Sequence, residues 1–393
     1  MPSLMNSSVA LTAYERRFFQ IALWAPAASL ALAVIILFPA QGLALTAAIS
    51  ICWLVSSRFS DFVFFLLLGA AATVMVLLGA IRFTFFPQAA YLLRRNADPA
   101  GLILDFQLWG PRYLLSYPAV LLSRWLEIDL NLAFTIYGLF CMGILVMVIV
   151  RCCDGAVLSG RFPEQRYLCQ FLVGTSWLLI ACFMNGRLML SFLGMALVLA
   201  GQIGAIQRAK LTVASVVLQA VGAFFTLMTT GTVMVAFAQM LGGSLLIGNF
   251  LSAQDRIQKT RSFLILTTFA ILLLPFVYQG TAKNAEFFGG NVIGLLSHGA
   301  GSLFLLEPTI TMSLLIVTVL IVAALVVVRH GWVRRNPALL PAWLAVPIAL
   351  VGGLFGYSTM LMALPSLMIL GVYGVLNFAG KMPRGSLSSS DLP

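Results

Sequence analysis

The chain has 393 residues, of which 61% are hydrophobic and only 9% are charged, whereas a soluble domain carries about 25% charged residues. This composition excludes a soluble globular protein. The net charge of +11 does not point to nucleic acid, because the basic residues are scattered between apolar runs and topology explains them better.

Apolar runs of about 18 or more residues recur along the chain, and each is long enough to cross a hydrocarbon layer of about 30 Å. They predict an all-α polytopic membrane protein with about twelve transmembrane helices. The first run is too long for a cleaved signal peptide and lacks a cleavage site, so we expect it to be retained. The predicted helices cover residues 18–38, 41–56, 62–81, 130–150, 168–184, 188–205, 211–228, 231–250, 262–279, 306–328, 338–356 and 358–379.

The distribution of basic residues orients these helices. With the N-terminus inside, 16 of the 23 lysines and arginines fall in cytoplasmic segments, as the positive-inside rule requires. Both termini are then cytoplasmic, and the long exterior loops cover residues 82–129 and 280–305. Residues 1–380 are expected to form one transmembrane domain, followed by a short disordered tail at 381–393.

The segment 106–126, FQLWGPRYLLSYPAVLLSRWL, is apolar but interrupted by prolines and by Arg112 and Arg124. Its uninterrupted part is too short to span a bilayer, so it predicts an interfacial or re-entrant helix. If it did span, the most basic loops would face outward. The glycine pairs within the spans, such as Gly242–Gly243, indicate close helix packing.

Arg187 lies in a very short exterior turn between two apolar helices. An arginine there either snorkels to the headgroups or binds an anion, because its planar fork matches phosphate and stays charged. The first exterior loop adds Arg82, Arg94, Arg95 and Arg112 and contains no lysine. These arginines either balance lipid headgroups or form an exterior phosphate or pyrophosphate site with Arg187.

Three exterior side chains are candidates for acid–base work: Asp105, Glu127 and His298. Asp105 precedes an aromatic stretch where partial desolvation would raise its pKa, and His298 has an unperturbed pKa suited to the task. Each has a structural alternative, as a solvated loop residue or a cap. Asp129 equally suits the N-cap of the next helix or, with Glu127, a cation site. Glu307 at the edge of a span suits either function or pairing with an arginine.

The six cysteines lie in apolar runs or beside basic loops, and none lies in the long exterior loops. Neither a disulfide framework nor a zinc site is expected from their positions. The sequence contains no nucleophile motif, glycine-rich phosphate loop or metalloprotease signature, so we predict neither a metal nor a cofactor.

Residues 112–151, RYLLSYPAVLLSRWLEIDLNLAFTIYGLFCMGILVMVIVR, resemble a block in bacterial polysaccharide polymerases of the Wzy and EpsG type. In both, a short apolar loop helix is followed by a span that closes on a basic residue. Those proteins also have a later span that opens with an arginine, which is similar to Gly186–Arg187–Leu188 here. Leu188 stands where such proteins often have glutamine.

The resemblance implies a GT-C-like membrane enzyme, an O-antigen or exopolysaccharide polymerase. Its substrates would be polyprenyl-pyrophosphate-linked oligosaccharides at the periplasmic face of the bacterial inner membrane, with a chain-length-regulating co-polymerase as a further partner. Arg187, Arg112, Arg94 and Arg95 would hold the departing pyrophosphate. Asp105, Glu127 or His298 would deprotonate the acceptor hydroxyl.

Three other functions remain open from the sequence. A glycan ligase would need much the same parts, and such ligases resemble this chain in having a late exterior loop with a histidine. A flippase or transporter of lipid-linked sugar would place charges within the spans, where this chain has few. A non-enzymatic membrane subunit would use the charged loops only as contacts.

Overall fold

The computed structural model describes residues 61–95, 97–156, 163–252, 256–287, 290, 336–353 and 357–380, with isolated positions between 32 and 42. Every regular element in these ranges is helical, which confirms the all-α prediction. By length and composition, three of the described helices could cross a membrane, at Leu130–Cys153, Gly186–Gln207 and Thr230–Ile247. These helices have the character of a helical membrane protein. The predicted spans 18–38, 41–56 and 306–328 lie outside the described residues.

The described helices are numbered here in chain order. They are α1 Asp61–Leu77, α2 Pro87–Arg94, α3 Pro99–Leu104, α4 Trp109–Leu126, α5 Leu130–Ala156, α6 Pro163–Phe183, α7 Gly186–Gln207, α8 Val213–Thr226, α9 Thr230–Ser252, α10 Arg256–Phe287, α11 Leu340–Gly352, α12 Tyr357–Leu361 and α13 Leu364–Gly380, with a 3-10 turn at Pro337–Leu339 before α11.

Helices α5 to α10 run alternately up and down, so their ends collect at two ends of a bundle. Helix α7 begins beside the start of α5, where a Cβ atom added at Gly186 would lie 2.6 Å from the Phe134 ring. Near the start of α9, the Thr232 hydroxyl oxygen lies 3.2 Å from Ser191 Oγ of α7. We call this the site end: α5, α7 and α9 begin there, and α6, α8 and α10 finish there.

Helix α4 has both of its ends at the site end. Its first turn contacts the connection between α8 and α9, since the Arg112 guanidinium donates to the Leu227 carbonyl. Its last turn leads through Glu127 and Asp129 into the start of α5. A transmembrane helix would separate its two ends by the thickness of the bilayer. Helix α4 therefore lies across the end of the bundle. Its position at a membrane surface remains a prediction.

Helix α7 is the centre of the bundle. Of its apolar window 89% is buried, against 61% for α5 and 56% for α9. Small residues allow this, because helices in lipid gain their packing energy from close backbone approach. A Cβ atom added at Gly222 of α8 would lie 2.5 Å from the Gly194 carbonyl oxygen. The packing predicted for the pair Gly242–Gly243 is confirmed, since these residues face the side chains of Leu344 and Gln202.

Several helix ends differ from the predicted spans. Helix α10 continues to Phe287, so the segment predicted as the second exterior loop begins within a helix. The first loop is largely helical: Asp98 caps α3 by accepting hydrogen bonds from the amides of Ala100 and Gly101 at 2.9 and 3.0 Å. The single helix predicted at 358–379 is divided into α12 and α13. Helix α1 ends at Leu77 rather than at residue 81, where Gly79 takes a positive φ of 71° that terminates helices readily.

Candidate anion-binding site at the site end

Arg112 is the buried charge of the site. It lies in the first turn of α4 and only 7% of its surface is exposed. Its Nε donates to the Leu227 carbonyl at 3.3 Å and its Nη2 donates to the Thr230 hydroxyl at 2.8 Å. Its guanidinium carbon lies 5.2 Å from the centre of the Trp109 ring. All of these partners are neutral, so they orient the guanidinium without compensating its charge.

The start of α4 is fixed by close packing. A Cβ atom added at Gly110 would lie 2.8 Å from the backbone nitrogen of Ile103, so only glycine lets α3 and α4 approach this closely. The Leu108 amide donates to the Gln279 side chain of α10 at 2.7 Å. These contacts hold Arg112 against the connection between α8 and α9.

Arg187 is the second cation of the site. It is half-buried near the start of α7, where the Asn185 side chain caps the helix by accepting from the Leu188 amide at 2.9 Å. The short turn predicted before α7 is thus present. The guanidinium carbon of Arg187 lies 5.3 Å from the centre of the Phe86 ring.

The two arginines lie within electrostatic range of each other. Burial, and then the positive charge of Arg187, lower the pKa of Arg112 to about 10. The guanidinium is still protonated at neutral pH, so two like charges are held together. Within the described residues, Arg112 forms no ion pair with a carboxylate. Arg112 is thus a buried guanidinium whose printed hydrogen-bond partners are all neutral, and a guanidinium of this kind suits contact with an anion.

Threonine residues form a polar surface next to these cations. The segment 226–232, TLMTTGT, connects α8 to α9. The Thr232 hydroxyl donates to the Thr226 carbonyl at 2.6 Å, and it shares a hydrogen bond of 2.7 Å with the Thr229 hydroxyl. The Ser191 hydroxyl in turn donates to the Arg187 carbonyl at 3.1 Å. The connection is therefore a rigid surface that presents the Leu227 carbonyl and the Thr230 hydroxyl to Arg112.

The other two arginines predicted to bind phosphate belong to the end of α2. Arg94 and Arg95 are exposed at the end of α2, and the guanidinium carbon of Arg95 lies 5.0 Å from the centre of the Tyr91 ring. Neither contacts Arg112 in the described part of the chain. Of the four predicted arginines, the structure thus brings Arg112 and Arg187 together.

Two of the three candidate bases, Asp105 and Glu127, lie in the described part of the chain, and both are exposed. Asp105 ends α3 and is exposed on the protein surface. Glu127 ends α4 in the left-handed conformation, with φ 52°, and is also exposed. His298 and Glu307 lie outside the described residues.

The N-cap role considered for Asp129 is confirmed. Its carboxylate accepts hydrogen bonds from the amides of Asn131 and Leu132 at 2.8 and 3.3 Å. This oxygen is therefore engaged at the start of α5. Among the described residues, no group of three or more histidine, cysteine or acidic side chains is arranged to hold a metal ion.

Two residues of the site were not predicted from the sequence. Trp109 contacts Arg112, and the same ring lies 5.7 Å from the Lys283 ammonium of α10. The signal for Trp109 was its position three residues before Arg112, which places both side chains on one face of a helix. Lys283 gave no such signal, because it fell in a segment that we predicted to be loop.

Comparison of the chain with family models, with curated proteins and with solved structures found no match.

Proposed function

We propose that the chain polymerises polyprenyl-pyrophosphate-linked oligosaccharide repeat units at the periplasmic face of a bacterial inner membrane. The observation that carries the proposal is the pairing of buried Arg112 with Arg187 at the end of an apolar helix bundle. About twelve spans in a GT-C-like arrangement, cytoplasmic termini and a chain-length-regulating partner belong to the same proposal.

Three features support a phosphate as the anion. Arginine binds phosphate through two parallel hydrogen bonds, which lysine cannot form. Helices α4, α7 and α9 all begin at the site end, and helix N-termini carry partial positive charge that favours anions. The surrounding helices are apolar enough to contact lipid, so a phosphate on a lipid carrier could reach the arginines from the bilayer.

The reaction divides between two groups of residues. The acceptor sugar hydroxyl attacks the anomeric carbon of the donor, and the bond between that carbon and the pyrophosphate oxygen breaks. Arg112 and Arg187 would stabilise the charge that develops on the departing lipid pyrophosphate. The hydroxyl proton passes to a base, for which Asp105, Glu127 and His298 remain the candidates. No step requires a metal if two guanidinium groups offset the negative charge.

Replacement of Arg187 tests the proposal in cells from which the native copy has been deleted. We expect Arg187→Ala to abolish long polymer and to accumulate single lipid-linked repeats, because loss of one such donor typically slows a reaction by about 10²–10³. Arg187→Lys should restore part of the chain length, since it keeps the charge but not the fork. Polymer length, lipid-linked repeats and protein level are measured by gel electrophoresis, chromatography and immunoblot.

Arg124→Ala is the matched control, because Arg124 is exposed in the last turn of α4 and should leave polymer length unchanged. Normal polymer in both Arg187 variants at normal protein level would contradict the proposal. Capping of single repeats onto the final acceptor should persist in the Arg187 variants. Its loss together with the polymer would indicate a glycan ligase instead.

A further inference from the structure

The last turns of α10 bring a third cation to the arginine pair. The Lys283 ammonium lies 5.7 Å from the centre of the Trp109 ring, and the Arg112 guanidinium carbon lies 5.2 Å from the same centre. A cation near an indole ring is attracted to its negative face. The two charges are thus positioned around a single side chain, with Arg112 buried and Lys283 exposed.

Contacts on one face of α10 fix the position of Lys283. Phe276, Gln279, Gly280 and Lys283 occupy positions i, i+3, i+4 and i+7, so they share one helix face. The Phe276 ring packs edge-on against Phe106 at 5.9 Å, and Gln279 accepts from the Leu108 amide at 2.7 Å. A Cβ atom added at Gly280 would lie 2.4 Å from the Thr230 methyl group. Lys283 therefore follows directly after a part of α10 that is packed against the residues of the site.

The cations form a layered site. Arg112 lies at the bottom, Arg187 is half-buried, and Lys283 lies at the solvent-exposed rim. A monophosphate ester that contacts the two arginines would have no further phosphate to offer Lys283. A diphosphate ester has a second phosphate that can contact the ammonium while the first stays on the guanidinium groups. A compact, rotatable ammonium suits that outer position better than a fixed fork.

We propose that Lys283 is a third anion-binding residue of this site, held by Trp109, and that it makes the site prefer diphosphate esters to monophosphate esters. The proposal rests on the proposed function for the identity of the site and adds the residue that selects the substrate class. It requires no change in the helix positions, because Lys283 already shares a ring with Arg112.

Binding to the purified full-length chain in detergent tests this preference. The probes are farnesyl diphosphate, farnesyl monophosphate and inorganic pyrophosphate, measured by isothermal titration calorimetry. The wild-type chain should bind the diphosphate more tightly than the monophosphate. Lys283→Gln should weaken diphosphate binding about tenfold, the effect of losing one charge-assisted hydrogen bond. It should change monophosphate binding less than about twofold, and Lys283→Arg should restore the preference.

Lys210→Gln is the control, since Lys210 is exposed in the connection between α7 and α8 at the opposite end of the bundle. Trp109→Leu should lower the diphosphate preference in the same direction as Lys283→Gln. Equal binding of inorganic pyrophosphate and farnesyl diphosphate would assign recognition to the diphosphate alone, whereas weaker binding of inorganic pyrophosphate would add a contribution from the lipid chain. In both cases the role of Lys283 is supported by a loss of diphosphate binding in Lys283→Gln that Lys210→Gln does not show.

An unchanged ratio of diphosphate to monophosphate affinity in Lys283→Gln would overturn the inference, as would equal affinities in the wild-type chain. The failure of the proposed function looks different. In that case the diphosphate preference would depend on Lys283, while cells carrying Arg187→Ala would still make polymer of normal length.

Discussion

Arg112→Met is expected to abolish polymer formation while the variant folds and unfolds at nearly the temperature of the wild-type chain. Arg112 is a buried cation with neutral hydrogen-bond partners and a second cation nearby. Replacing a buried ion pair with apolar side chains of similar volume is often neutral or stabilising, by about 1–4 kcal/mol, and replacing Arg112 removes the same kind of desolvation cost. Against this, the Leu227 carbonyl and the Thr230 hydroxyl lose a donor, at a cost of about 1–3 kcal/mol.

The two measurements are polymer length in cells and thermal unfolding of the purified chain. Arg112→Lys should fold as well but retain little polymerisation, because an ammonium cannot reproduce the fork that contacts Leu227 and Thr230 together. Normal polymer made by Arg112→Met would show that the buried guanidinium does not act on the substrate. An unfolded variant would show that Arg112 is a structural residue whose hydrogen bonds outweigh the cost of burying its charge.

Gly222→Ala is expected to destabilise the bundle by about 1–3 kcal/mol, the range for inserting a methyl group into a well-packed core. The added Cβ atom would lie 2.5 Å from the Gly194 carbonyl oxygen and 2.8 Å from the Val198 backbone nitrogen. Both atoms belong to the backbone of α7, so α8 must move away as a whole. Thermal unfolding in detergent measures the loss.

Gly69→Ala provides the matched control. Gly69 is exposed in α1, and no atom lies within 4 Å of a Cβ atom added there. The same substitution should stabilise α1 slightly, since alanine favours a helix interior by about 0.5–1 kcal/mol over glycine. Equal unfolding temperatures for the two variants would contradict the close contact between α7 and α8.

Local sequence signals were sufficient for the helices and for some of their ends. The composition predicted an all-α membrane protein, and Asp129 before an apolar run predicted the cap of α5, because a cap depends on the next three residues only. The end of α10 could not be predicted in this way. The apolar run ends at Gln279, and this marks the edge of the predicted span. The helix continues past that residue because its side chains make tertiary contacts there, and such contacts cannot be read from the local sequence.

The arginine pair was partly predictable. The positive-inside orientation places the loop that contains Arg112 and the turn that contains Arg187 on the same side, which indicated that the two arginines could meet. The sequence could not distinguish them from Arg94 and Arg95, because that choice depends on how α2 and α4 pack. Lys283 was missed for the same reason, since its proximity to Trp109 depends on contacts between residues more than 170 positions apart.

The proposed function requires the cation site to lie on the exterior face of the membrane. A membrane-impermeant maleimide can locate the two ends of the bundle relative to the membrane. It labels single cysteines introduced as Lys283→Cys or Lys210→Cys into a chain from which the native cysteines have been removed. In intact cells, or in spheroplasts where an outer membrane is present, we predict that position 283 reacts and that position 210 reacts only after permeabilisation. Labelling of position 210 but not 283 before permeabilisation would contradict the account.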